Sequence, residues 1–114
     1  LRELSKRQVG YAHLIEPRAS NAGGTDKTTD APCTSKLFRE AFPGVLISAG
    51  GYTREEALEA VESGRADAVA FGRLFIANPD LPKRFAENAE LNPYDRKTFY
   101  GGGEKGYTDY PFWG

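Results

Sequence analysis

Apolar positions fall into three short runs, separated by stretches with helical spacing. The first run, VGYAHLI at residues 9–15, is β-rich and stops at Glu16-Pro17, which predicts a strand buried on both faces. VLISAG at 45–50 predicts a second strand running into Gly50-Gly51, and DAVAF at 67–71 a third running into Gly72-Arg73. Between the first two, TSKLFREAF at 34–42 puts Leu37, Phe38, Ala41 and Phe42 on one helical face. Thr34 or Ser35 can cap its start, and Pro43-Gly44 ends it. In TREEALEAVESG at 53–64, Thr53 and Glu56 form a capping box, and Ala57, Leu58, Ala60 and Val61 form the buried stripe. Gly64 is suited to the C-terminal cap because it tolerates positive φ.

A last helix is expected with Asn78 as its cap and Pro79 at its first position. Pro82 still falls in the turn whose amides lack partners, and Leu81 and Phe85 share one face. ASNAGGTDKTTDAP at 19–32 reads as a long polar loop. From Asn92 the chain reads as an aromatic, glycine-rich tail with little regular structure.

Strands alternating with helices pair in parallel through crossovers. The compact repeat from Val45 to Asp67 suits a (β/α)₈ barrel, with a doubly wound open sheet as the alternative. Three strands cannot close a barrel, which takes about eight. The fold expected is therefore α/β: the last three βα units of a barrel plus a C-terminal extension. The opening LRELSKRQVG has no methionine and reads as the end of an amphipathic helix, which suggests a piece of a longer chain or a truncated form.

Composition narrows the function classes. With 114 residues, one domain is the upper limit. A formal net charge of -1 gives no reason to expect nucleic acid or an anionic membrane as partner. No apolar run approaches the roughly 20 residues of a membrane helix. Cys33 is the lone cysteine, so no intrachain disulfide forms, which fits a reducing, cytoplasmic compartment. It has no partner for a metal site. Tyr107, Tyr110, Phe112 and Trp113 look like a base-stacking set, but without a basic excess they are better read as pinning the tail onto the barrel or onto a second subunit. His13 reads as a packed, hydrogen-bonded core histidine rather than a catalytic one.

In parallel α/β folds, function gathers at the carboxyl ends of the strands. Those ends carry Glu16-Pro17-Arg18, Ala49-Gly50-Gly51 and Gly72-Arg73, and parallel strands put all of them on one face. Glycine lets an anion approach the backbone, helix-start amides carry partial positive charge, and arginine adds a planar fork matched to phosphate oxygens. The competing reading is that these glycines only turn tight strand-to-helix corners. Two clusters on adjacent strand ends, one with arginine, favour phosphate.

SAGGYTREEA, AFGRLFIANPDLPKRF and LNPYDRKTFY…GYTDYPF resemble the C-terminal third of the old yellow enzyme family, nearest its 12-oxophytodienoate reductase-like and N-ethylmaleimide reductase-like branch. YAHLIEPR is similar to the same family's sixth strand and exit. The resemblance implies an FMN-containing (β/α)₈ barrel that takes hydride from NADPH and passes it to the β-carbon of a small-molecule enone. It implies that Gly50, Gly51, Gly72 and Arg73 hold the FMN phosphate. It gives Tyr100, with Phe99 beside it, a substrate-side role, and places Arg18 at the opening of a loop over the substrate. The family's His-His or His-Asn pair and its tyrosine proton donor have no counterpart here, so no catalytic residue is assigned. The alternative is a phosphate-binding barrel segment with no redox role, holding a sugar phosphate or serving as scaffold; the NPYDRKTFY segment speaks against it. An isolated piece of this length would expose barrel-core surface, so inactivity alone and pairing into a homo-oligomer are expected.

Overall fold

The computed structural model describes residues 1–19 and 31–114, so most of the loop expected at 19–32 lies outside the described residues. The chain divides into two compact units, Leu1–Ala70 and Phe71–Gly114.

In the first unit, β1 (Tyr11–Ile15), β2 (Val45–Ala49) and β3 (Ala68–Ala70) form a parallel sheet in the order β1-β2-β3. Helix α1 (Arg2–Lys6) precedes β1, α2 (Ser35–Ala41) joins β1 to β2, and α3 (Arg54–Glu62) joins β2 to β3. The register pairs Ile15 with Ala49 and Ala49 with Ala70, so all three strands finish level.

Side chains alternate across a strand, and the described residues of the first unit pack against one face of this sheet. Ala12 and Leu46 pack with Phe42 from the end of α2, and with Leu1 and Leu14. On the other face Tyr11, Ile15 and Val45 remain exposed. This corrects the expectation of a first strand buried on both faces: burial of that kind needs a second layer, and here the packing is on one side. His13 shares the exposed face and is not a core histidine. Leu37, Leu58 and Val61 are likewise exposed rather than part of buried helical stripes, whereas Ala60 is fully buried.

The capping signals at α3 operate as read. Thr53 Oγ1 accepts from the Glu56 N–H, and the Glu56 carboxylate accepts from the Thr53 N–H. Gly64 follows the helix at φ +71, its N–H bonded to the Val61 carbonyl. Asp67 then ties the start of β3 to its neighbours. Its carboxylate accepts from the Leu46 N–H at 2.7 Å and from the Arg39 guanidinium of α2.

In the second unit, α4 (Arg73–Ala77) follows directly, then α5 (Leu81–Ala86) and a 3₁₀ turn, Arg96–Thr98. Asn78 does not cap the last helix. Asp80 stands at the N-cap and Pro82 lies in the first turn. The Asn78 amide is occupied elsewhere: it donates to the Leu74 carbonyl at 2.8 Å and accepts from the Asn92 N–H at 2.7 Å. The tail is held by polar groups together with some of its aromatics, the Trp113 ring centre lying 5.4 Å from Lys83 Nζ. Arg84, 3% exposed, donates to Asp80, to the Glu90 carbonyl and to the Pro111 carbonyl. Asp80 accepts from the Trp113 N–H, and the Tyr110 hydroxyl accepts from the Asp95 N–H. Tyr107 and Phe112 are exposed.

Candidate functional site

Glu16, the first residue past β1, is fully buried. A buried carboxylate must be met by donors, and the end of α2 nearest it supplies them. The Thr34 N–H donates at 2.6 Å, its hydroxyl at 3.1 Å and the Ser35 N–H at 3.1 Å. Glu16 therefore caps α2 in place of Thr34 or Ser35, whose side chains make no N-cap bond. From β2, Ser48 Oγ donates to the same carboxylate at 3.2 Å, and the Tyr52 hydroxyl donates at 3.3 Å. Burial pushes the Glu16 carboxyl up, but the Thr34 and Ser35 hydrogen bonds outweigh it and hold the pKa below its ordinary value. Tyr52 moves the other way: burial disfavours its phenolate and raises its pKa.

Two residues on, Arg18 places both terminal nitrogens on the Glu56 carboxylate, at 2.6 and 3.2 Å. Its guanidinium carbon lies 4.7 Å from the centre of the Tyr52 ring. The arginine expected to open a loop over a substrate is thus engaged with the first turn of α3. That contact outweighs the opposing effect of partial burial, holding the Glu56 pKa down and lifting that of Arg18.

The Gly50-Gly51 corner sits beside this network. Both residues have positive φ, +124 and +66. A Cβ on Gly50 would come within 2.9 Å of the Ala19 Cβ and 3.1 Å of the Glu16 N. Glycine is required at Gly50 by close approach and by backbone conformation alike.

Gly72 and Arg73 belong to the second unit, and Gly72 differs from Gly50. Its φ is -95, which any residue adopts. Among the described residues, nothing but its two chain neighbours lies within 4 Å of the position its Cβ would take. Arg73 is half-buried, with its guanidinium carbon 5.8 Å from the Tyr94 ring centre. Tyr94 packs on Phe99 at 5.5 Å, and Phe99 meets the Tyr100 ring edge-on at 6.2 Å. Tyr100 is 92% exposed, so its ring is open to solvent. Arg73 and Tyr100 thus lie at the two ends of one run of aromatic contacts.

Sequence reasoning singled out Arg18 in the Glu16-Pro17-Arg18 cluster but gave Glu16 no role, and it passed over Ser48, Tyr52 and Tyr94. A signal for Glu16 was present: a carboxylate at the mouth of an apolar strand needs dedicated donors once buried. Among the described residues, no group of three or more His, Cys, Asp or Glu could hold a metal ion. No helix among them is long and apolar enough to cross a membrane.

Residues 2–92 match the profile of the NADH:flavin oxidoreductase / NADH oxidase family. Over 111 residues the chain is 53% identical to 12-oxophytodienoate reductase 2 of Arabidopsis thaliana, covering 95% of this chain and 28% of that protein. It is 49% identical to putative 12-oxophytodienoate reductase 12 of Oryza sativa subsp. japonica, covering 97% of this chain and 29% of that one. Among solved structures it resembles morphinone reductase at a TM-score of 0.80 and 48% identity, over 97% of this chain and 29% of that one. It also resembles the old yellow enzyme homologue from Zymomonas mobilis at 0.82 and 42%, over 96% and 30%. The chain thus spans a little over a quarter of the length of the curated relatives described here.

Because the folded-state pKa of Glu16 is depressed, its stabilisation is fully present above the unfolded carboxyl value of about 4.3 and fades as pH falls through the folded value. Glu16→Gln should cost about 1.5–3 kcal/mol near pH 7, with the gap to wild type closing below pH ~4.3 in urea titrations. A gap constant down to pH ~3 would show that the charge is not what Glu16 contributes. The two glycines should also separate cleanly. Gly50→Ala should destabilise by at least about 1–3 kcal/mol, and Gly72→Ala should change thermal stability by less than about 0.5 kcal/mol.

Proposed function

The chain belongs to the NADH:flavin oxidoreductase / NADH oxidase family, and on that premise we propose that it supplies the FMN-phosphate grip of an old yellow enzyme-type ene-reductase. In this reading it forms the last three βα units of a (β/α)₈ barrel with a C-terminal extension. The parent protein reduces the activated C=C bond of an enone. NADPH is the proposed hydride donor, from the branch the motifs resemble; the family description itself names NADH. The parallel β1-β2-β3 order supports the barrel reading, as does the likeness to the Zymomonas mobilis homologue.

When bound, FMN supplies the hydride acceptor and donor. The residues of this chain hold and orient its phosphate. Gly50 and Gly51 offer backbone free of side chains at the exit of β2, and Gly72 and Arg73 offer a bare backbone and a guanidinium after β3. The observation that carries the reading is Gly72. Neither its φ nor its packing among the described residues calls for glycine, so the open space at its Cβ is what the glycine provides. A phosphate approaching that backbone would need it, and the adjacent Arg73 supplies charge with bidentate geometry. Tyr100, exposed and in ring contact with Phe99, takes the substrate side.

Arg73→Ala should weaken FMN binding by the chain about 10- to 100-fold in a fluorescence titration, the loss expected for a charge-assisted contact. Unchanged FMN affinity removes Arg73 from the site. The lone histidine, His13, sits exposed on β1 and offers no His-His or His-Asn pair. The purified 114-residue chain should therefore show no enone-dependent NADPH oxidation; measurable turnover would place a proton donor among its own residues.

A further inference from the structure

We infer that Tyr52 and Arg18 are positioning residues that hold the Gly50-Gly51 corner in the shape that meets a phosphate, an assignment that rests on the phosphate reading above. Two successive positive-φ glycines make the corner reachable, but glycine also loses more backbone freedom on ordering than any other residue. The corner itself has no side chains with which to hold its shape. The constraint has to come from its neighbours.

Those neighbours are specific. Immediately after the corner, Tyr52 is 4% exposed. Its hydroxyl lies 2.8 Å from Ser48 Oγ and donates to Glu16, while its ring lies under the Arg18 guanidinium. One residue further, the Thr53 N–H donates to Glu56 Oε2 at 2.8 Å, and Glu56 is the carboxylate that Arg18 grips through both terminal nitrogens. Just before the corner, the Ala49 carbonyl accepts from the Glu16 N–H at 2.7 Å. These tethers on the corner all lead back to the exit of β1.

Tyr52 is too buried to touch a ligand, and both terminal nitrogens of Arg18 are occupied. Their influence on a ligand therefore runs through the corner. A loop ordered before binding spares the ligand the entropy of ordering it. The effect should then be confined to the part of a ligand that meets the corner, the phosphate, and should not extend to the flavin ring.

The test uses Tyr52→Phe, which removes only the hydroxyl, and Arg18→Lys, which keeps the charge but loses the fork. Each variant of the 114-residue chain is titrated with FMN and with riboflavin, which is FMN without its phosphate. Each should weaken FMN about tenfold and leave riboflavin within about twofold. Amide hydrogen exchange at Gly50–Thr53 should quicken about tenfold while the rest of β2 keeps its wild-type rates. Equal losses for both flavins, or exchange quickened across all of β2, would overturn the assignment and leave these residues a general role in folding. A wild-type chain that prefers neither flavin, or binds neither, would overturn the phosphate reading instead. The exchange profile would still decide whether Tyr52 and Arg18 hold the corner.

Discussion

A carboxylate taken out of water at the end of β1 organises the first unit. Glu16 accepts from the start of α2, from Ser48 inside β2 and from Tyr52 beyond it. Leaving any one of those donors unmet in a buried setting is costly, so the arrangement is close to all-or-none. The helix start, the strand and the glycine corner are thereby placed against one another by a single side chain. A surface ion pair could not do this, because water and salt would screen it.

The second unit uses a related device. Arg84 is buried, with Nε on Asp80 and its terminal nitrogens on the carbonyls of Glu90 and Pro111. Asn92 adds a second polar tie, donating to the carbonyls of Ala77 and Pro111. Backbone groups that would otherwise lack partners in an irregular segment are met by side chains instead. The tail stays in place with little regular structure of its own.

What could be read from the sequence follows this division between local and distant contacts. The α3 capping box, the Gly64 terminator and the strand-helix alternation depend on residues close in sequence, and Thr53, Glu56 and Gly64 behave as their spacing implies. The capping of α2 by Glu16 spans a long separation, and nothing near Thr34 announces it. Asn78 looked like a cap because Pro79 follows it, yet its amide serves Leu74 and Asn92. Tyr11, His13 and Ile15 are exposed despite lying in an apolar run, for a different reason. An apolar run states that a strand can be covered on both faces, not which neighbours are there to cover it. For the site, residue type and position pointed to the two glycine clusters, but only geometry separates Gly50, which the fold itself requires, from Gly72, which it does not.

Gly101, Gly102 and Gly103 lie exposed between the 3₁₀ turn and the final stretch of chain. A protease that cut there would sever the peptide bond without releasing the end. The stretch from Glu104 onward would stay docked through the Pro111 carbonyl and the Trp113 N–H, held by Arg84, Asn92 and Asp80. Such a nicked molecule would run as two bands on a denaturing gel yet elute as one species under native conditions.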